Sequence, residues 1–254
     1  MAVRDSVLFG FSADGPVEQW STEFDWVLER TLGSIDDPSI ISDRVTALDF
    51  HRDGNSIAVG SGPPSRSGEV KVFDVRNGRV VRDFGEVHSD TVLGLAFSPD
   101  GRMLASSAAD KTIRLFDLAQ GKAIRSLEGH THHVLSIAWQ DDAQTLASAS
   151  ADQTLKVWNI ETGEQRRTIS GFNKEITAVA FVQSGNQVMT ACADGQVRLY
   201  DSANGKLVRS FNASGDFLYT LSVTPDGEEL VAAGQSGKVR FWTVKDAKIL
   251  HELE

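Results

Sequence analysis

The run Leu146-Ala-Ser-Ala-Ser-Ala-Asp152, followed by Leu155-Lys-Val-Trp158-Asn159, reads as two short strands joined by an acidic turn. Apolar or small residues alternate with hydroxyl-bearing ones, and the second run ends on an aromatic. The same arrangement returns along the chain at one fixed interval. Aromatics stand at Phe116, Trp158, Tyr200 and Trp242, each 42 residues after the last. Phe97, Trp139 and Phe181, then Val223, keep the same step, as do Asp110, Asp152 and Asp194, then Ser236. Turn positions follow it too, at Gly101, Ala143, Gly185 and Gly227, and at Gly121, Gly163, Gly205 and Ala247.

Between these markers each repeat holds four alternating runs. In one they are Val92–Phe97, Met103–Ser107, Thr112–Phe116 and Ala123–Leu127, separated by breaks such as Pro99-Asp100-Gly101. Four short strands every 40 to 45 residues is the blade of a β-propeller, and no stretch carries a helical period. The expected fold class is therefore all-β, with four-stranded antiparallel blades over residues 1–254. Five complete blades are expected at 43–87, 88–129, 130–171, 172–213 and 214–254, after an incomplete one at 1–33. In that first blade Ser6–Ser12, Val17–Trp20 and Trp26–Leu32 match strands two to four, with Asp14 in the acidic slot. Strand one is expected to be missing, which leaves a six-bladed ring or a piece of a larger propeller. Self-association through that bare edge is the expected consequence.

Composition narrows the function classes. With 35 acidic and 25 basic residues the net charge is −10, which disfavours nucleic acid or an anionic membrane as the main partner. The lone Cys192 excludes an intrachain disulfide and a Cys-built metal cage. No apolar run is long enough to span a bilayer and the first residues lack a secretory h-region, so the chain as given is expected in the cytoplasm, or in the periplasm within a longer exported protein.

With Gly129-His130 ahead of them, the two opening stretches resemble WD40 repeats, and the resemblance covers nearly the whole chain. Four further stretches resemble the propeller portion of bacterial proteins that join a c-type cytochrome domain to WD repeats. They are Pro64-Ser-Arg-Ser-Gly68, His88-Ser-Asp-Thr-Val92, Gly129-His-Thr-His-His-Val134 and Gly215-Asp-Phe-Leu-Tyr219. The WD40 resemblance implies a hydrogen-bonded structural set, carried here by His130, Ser150, Asp152 and Trp158. It recurs piecemeal: His88 and Asp110 stand with Phe116 in the Trp slot, and Asp194 with Phe172 in the His slot. A Ser, His and Asp that recur at a repeat period read as framework rather than as a catalytic triad, and no GxSxG elbow is present. No catalytic residue, metal site or cofactor is assigned. His132 and His133 are two imidazoles without further ligands in view. Arg125, Arg167 and Arg209 recur on the outermost strands and read as charges that discourage edge pairing, not as an anion site.

The residues that break the period point to the working surface. Trp20 to Phe50 is 30 residues where Phe116 to Trp139 is 23, and Phe50 to Phe73 is 23 where Phe97 to Phe116 is 19. The two insertions, at 33–42 and 62–68, precede strand one and strand three of the second blade, so strand alternation puts both on one face. That face also carries a slot that changes from blade to blade: Arg44, Thr91, His133, Glu175 and Phe217. The slot before it holds Asp43, Asp90, His132, Lys174 and Asp216. The expected function is a non-catalytic protein–protein interaction scaffold, contacting its partner through Arg44, Arg66, Thr91, His132, His133, Lys174, Glu175, Asp216 and Phe217. Arg66 and Phe217 are the expected anchors. The alternatives are an accessory propeller of a cytochrome-type redox protein, or a metal-dependent propeller enzyme using His132 and His133.

Overall fold

The computed structural model describes residues 2–4, 7–10, 17–21, 28–32, 40–182, 185–213 and 215–253, with side chains from residue 31 onward. Every regular element among them is a strand. The strands form six four-stranded antiparallel sheets, each ordered one-two-three-four as in the sequence. The chain divides into two units, Met1–Ser126 and Leu127–Glu254. Each contributes three sheets, apart from Leu127, which ends the third.

Five blades are the complete ones expected. In the third, the strands are Val92–Phe97, Met103–Ala108, Ile113–Asp117 and Lys122–Leu127, within a residue of the sequence reading. The first blade differs from expectation. Val7–Gly10, Val17–Ser21 and Leu28–Leu32 are its strands two to four, but strand one is present as a three-residue stub, Ala2–Arg4, paired with strand two. The blade is shortened at its inner edge rather than lacking strand one, which corrects the expectation that this strand is missing. Asp14 and Trp26 lie outside the described residues.

Within each unit the core sits between successive blades. In the first, Val70, Val72, Val92, Phe97, Leu104 and Phe116 pack together across the second and third blades. In the second, Ile169, Phe172, Ile176, Val188 and Tyr200 join the fourth to the fifth, and Phe211, Leu218, Leu230 and Trp242 join the fifth to the sixth. Each such side chain contributes about 1.5–3 kcal/mol by leaving water. Strand two carries the most burial: in the fourth blade all six residues of Thr145–Ser150 are buried.

Arginines on strand four add a polar stitch. Arg82 donates to the Leu118 carbonyl at 2.9 Å, Arg167 to that of Ala203 at 2.6 Å and Arg209 to that of Val244 at 2.7 Å. In each case the acceptor follows strand three of the next blade. Arg167 and Arg209 therefore fasten neighbouring blades, which corrects the expectation that they guard an edge. Asp49 makes a further stitch where its sisters are Ala96, Ala138, Ala180 and Ser222. Its carboxylate accepts the Phe97 N–H at 2.6 Å.

Strand four also carries a bulge. Val72 pairs with Arg82 but Phe73 with Val80, so Val81 is the additional residue. The same step leaves Arg166, Val208 and Leu250 unpaired in the fourth, fifth and sixth blades. A bulge re-aims the side chains around it.

Candidate interaction face

The polar framework behind the face is clearest in the fourth blade. His130 lies 2.8 Å from Asp152 Oδ2 through Nδ1 and 2.7 Å from Ser148 Oγ through Nε2. Trp158 Nε1 donates to the same Ser148 oxygen at 2.8 Å. An indole can only donate, so the serine proton goes to Nε2 and the imidazole proton resides on Nδ1, facing the carboxylate. The serine of this set is Ser148, not the expected Ser150. Both lie on the same side of strand two, two residues apart, but Ser148 is level with the imidazole. Ser150 instead donates to the His132 carbonyl at 3.2 Å and accepts the Asp152 N–H at 3.0 Å. Ser148 is 0% exposed and its oxygen is occupied on both sides, so no substrate reaches it.

Other blades solve the same problem with different residues. In the third, His88 bridges Asp110 at 2.9 Å and Ser106 at 2.6 Å, with Phe116 in the indole position. In the fifth, Phe172 replaces the imidazole, and Arg198 takes over the carboxylate of Asp194 through two bonds of 3.1 and 2.6 Å. The Arg198 guanidinium also lies 5.6 Å above the Phe172 ring. In the second, Glu69 accepts from Ser61 at 2.7 Å and pairs with the buried Lys71 at 3.2 Å.

These networks fix protonation. Burial holds His130 below the ordinary imidazole range, even though Asp152 pulls it upward. Burial would raise Asp110 and Asp152, but the hydrogen bonds outweigh it and leave both carboxyls below the ordinary range. A group whose pKa is depressed by folding stabilises fully above its unfolded value and loses that contribution as pH falls. For His130 the loss starts near pH 6.5, and for the two carboxylates near 3.9. His130 should thus remove up to about 1.4 kcal/mol per unit as the pH falls from 7 to 5, read as the difference in thermal unfolding between wild type and a His130→Gln chain. Asp49, which burial pushes up to about 7, acts in the opposite sense in both chains and cancels in the comparison. Parallel profiles would refute this assignment.

The variable slot sits on one recurring backbone bond. Ala109, Ala151, Ala193 and Gln235 each donate an N–H to the slot carbonyl, at Thr91, His133, Glu175 and Phe217, over 2.8–3.0 Å. Position is set by the main chain, and the side chain is left free to differ. The preceding slot braces it: Asp43, Asp90 and His132 each accept the next residue's N–H, at 2.6, 2.8 and 2.9 Å. Asp216 is held by the Ser236 hydroxyl at 2.6 Å.

In the first unit the two insertions share this side. Ser65 N–H reaches Asp90 at 2.6 Å, and Thr91 Oγ1 donates to the Gly62 carbonyl at 3.0 Å. Of the first insertion, residues 33–39 lie outside the described residues, but Ser42 donates to Glu69 at 2.6 Å and Ile40 accepts from Lys71 at 2.8 Å. Arg44 and Arg66 are exposed, whereas Thr91 is buried and spends its hydroxyl on the loop. In the second unit, His132, His133 and Lys174 are exposed, Glu175 is half-buried, and Phe217 packs at 5.1 Å on Tyr219. His132 and His133 stack with ring centroids 4.4 Å apart. Among the described residues no three His, Cys, Asp or Glu side chains gather as metal ligands.

The family model described as WD domain, G-beta repeat, matches residues 34–74, 78–117, 121–159 and 205–243. This chain is a WD40-repeat protein. Part of it, 167–221, also matches a model described as Anaphase-promoting complex subunit 4 WD40 domain. Each WD40 match ends with strand three, and the three that begin at 78, 121 and 205 open with strand four of the preceding blade, so the sequence repeat supplies strand four of one blade and strands one to three of the next. WD repeat-containing protein SL1-17 of Schistosoma mansoni is 36% identical over 80 residues, 32% of this chain and 25% of that protein. WD repeat-containing protein VIP3 of Arabidopsis thaliana is 27% identical over 131 residues, 47% and 39% of the two lengths. WD repeat and SOCS box-containing protein 1 of Danio rerio is 38% identical over 66 residues, 25% and 15%. The chain thus spans well under half the length of these curated relatives. All three are eukaryotic WD-repeat proteins, and the finer resemblance to cytochrome-linked bacterial propellers finds no support among them.

Proposed function

We propose that this WD40-repeat chain is a non-catalytic scaffold that binds a protein partner through the loop-bearing face, made by the loops leading into strand one and between strands two and three. The observation that carries this reading is the variable slot, where one repeated main-chain bond holds side chains as unlike as His133, Glu175 and Phe217. A frame that fixes backbone and releases chemistry suits recognition of a specific surface. Arg66, exposed on the inserted loop, and Phe217 with Tyr219 beside it are the residue types that carry binding energy. Arg44 in the first unit, with Arg66, and His132, His133, Lys174 and Glu175 in the second, with Phe217, serve as adaptable polar contacts, while Thr91 and Asp216 hold the loops in shape. The membership in a family of generally non-catalytic scaffolds and the sealed Ser148 both support the absence of catalysis.

Affinity capture should decide it. Wild type is compared with Arg66→Ala, Phe217→Ala and the strand-four control Val208→Ala. The first two are expected to lose partners that the control retains, each by at least about tenfold in affinity for a hot-spot residue. Identical partner sets for all four would overturn the assigned face.

A further inference from the structure

At the seam of the fourth and fifth blades, repeat slots change chemistry together. The residue inserted by the strand-four bulge is Val81, Val208 or Leu250 in other blades, but Arg166 here. The residue after strand three is Val75, Leu118, Ile160 or Val244 elsewhere, but Ser202 here. Both departures line one cavity of about 330 Å³, together with Gln140, Thr145, Arg167 and Asn186.

The cavity is rich in donors and short of counter-charge. Arg166 donates to Thr145 Oγ1 at 3.2 Å and Arg167 to the Ala203 carbonyl at 2.6 Å, both neutral acceptors. Among the described residues neither guanidinium has an ion-pair partner, although the chain as a whole carries a net charge of −10. Asp142 also lines the cavity, but its own turn consumes the carboxylate: Oδ1 accepts the Gln144 and Thr145 N–H groups, and Oδ2 the Thr145 hydroxyl, all at 2.8 Å. Gln140 Nε2 donates to Asn186 Oδ1 at 3.1 Å, which leaves the Asn186 amide N–H groups as donors. The bulge explains the convergence. Consecutive strand residues ordinarily point to opposite faces, but the additional residue at Arg166 brings its side chain and that of Arg167 to the same cavity.

We propose that this cavity is an oxyanion site that takes a phosphate group. Two guanidiniums that form no ion pair among the described residues outnumber the single charge of Asp142, and with an amide and the Ser202 hydroxyl they offer more donors than one carboxylate uses, matching the three acceptor oxygens and higher charge of a phosphate. The site is independent of the loop face and does not rest on its role in partner binding.

The test is calorimetric titration of the full chain with inorganic phosphate at low salt. Saturable one-site binding is expected for wild type. Arg166→Val and Ser202→Val install the residues that sister blades already carry, so both should fold with unchanged unfolding midpoints. Arg166→Val should bind about tenfold or more weakly, the effect of one lost charged hydrogen-bond partner. Phosphoserine in place of inorganic phosphate separates the sources: tighter binding assigns a phosphorylated side chain, and weaker binding assigns free phosphate, with the site upheld in both. Absence of saturable heat, undiminished binding by Arg166→Val, or acetate competing as well as phosphate would overturn the proposal.

Discussion

Trp158→Ala is expected to lower the stability of the second unit by about 3–5 kcal/mol, the range for removing a buried aromatic side chain. Trp158 is 1% exposed, and its N–H is the donor that fixes the proton on Ser148 and thereby the tautomer of His130. The alanine leaves a cavity and strips one partner from an already buried hydroxyl. Trp158→Phe provides the control, because Phe116 fills the same position above an equivalent His88–Ser106–Asp110 set. It should cost only about 1 kcal/mol, the net worth of one hydrogen bond. Urea unfolding followed by tryptophan-independent circular dichroism measures both. Equal losses for Phe and Ala would show that the hydrogen bond, not packing, dominates; a loss below about 1 kcal/mol for Ala would remove the framework role altogether.

Gly195→Ala is expected to be a strongly damaging small substitution on the candidate face. Gly195 has φ +77°, yet the sister positions Lys111 and Gln153 hold φ of 74° and 64° with full side chains. The dihedral alone therefore does not require glycine. The neighbour does: a Cβ here would lie 2.4 Å from Gly215 Cα and 2.5 Å from its carbonyl carbon, both main-chain atoms. Main chain cannot rotate aside, so the loop that leads into Asp216 and Phe217 must move. The expected loss is about 2–4 kcal/mol, combining the strained dihedral with overpacking. Gly237→Ala isolates the first component, since its φ is +81° and nothing lies within 4 Å. It should cost about 1 kcal/mol. Hydrogen exchange at 215–217 should quicken in the Gly195 variant alone; equal behaviour of the two variants would refute the contact argument.

The strands were legible in the sequence because alternation and a 42-residue step reinforce each other at every turn. The Ala2–Arg4 stub escaped because three residues are too few to show alternation. Ser148 and Ser150 share one side of a strand, and nothing in their spacing says which of them meets the imidazole. Repetition drew attention to Arg167 and Arg209, but their acceptors lie 36 and 35 residues onward in the next blade, where no local pattern reaches. Arg166 is hidden for the opposite reason: it breaks its own series, and its meaning depends on a bulge invisible in sequence. The inserted loops of the face were visible as lengthened intervals. That Thr91 turns inward while Arg66 does not was not, since both are loop residues until the Gly62 carbonyl is placed.

The offset between sequence repeat and blade bears on how such a chain changes length. A 42-residue module from strand four of one blade to strand three of the next contains no intact sheet. Adding or removing one at its own boundaries nonetheless leaves every remaining sheet with four strands, because each cut regenerates the same junction. Copy-number variation is thereby separated from fold integrity: duplication extends the array without creating a bare edge.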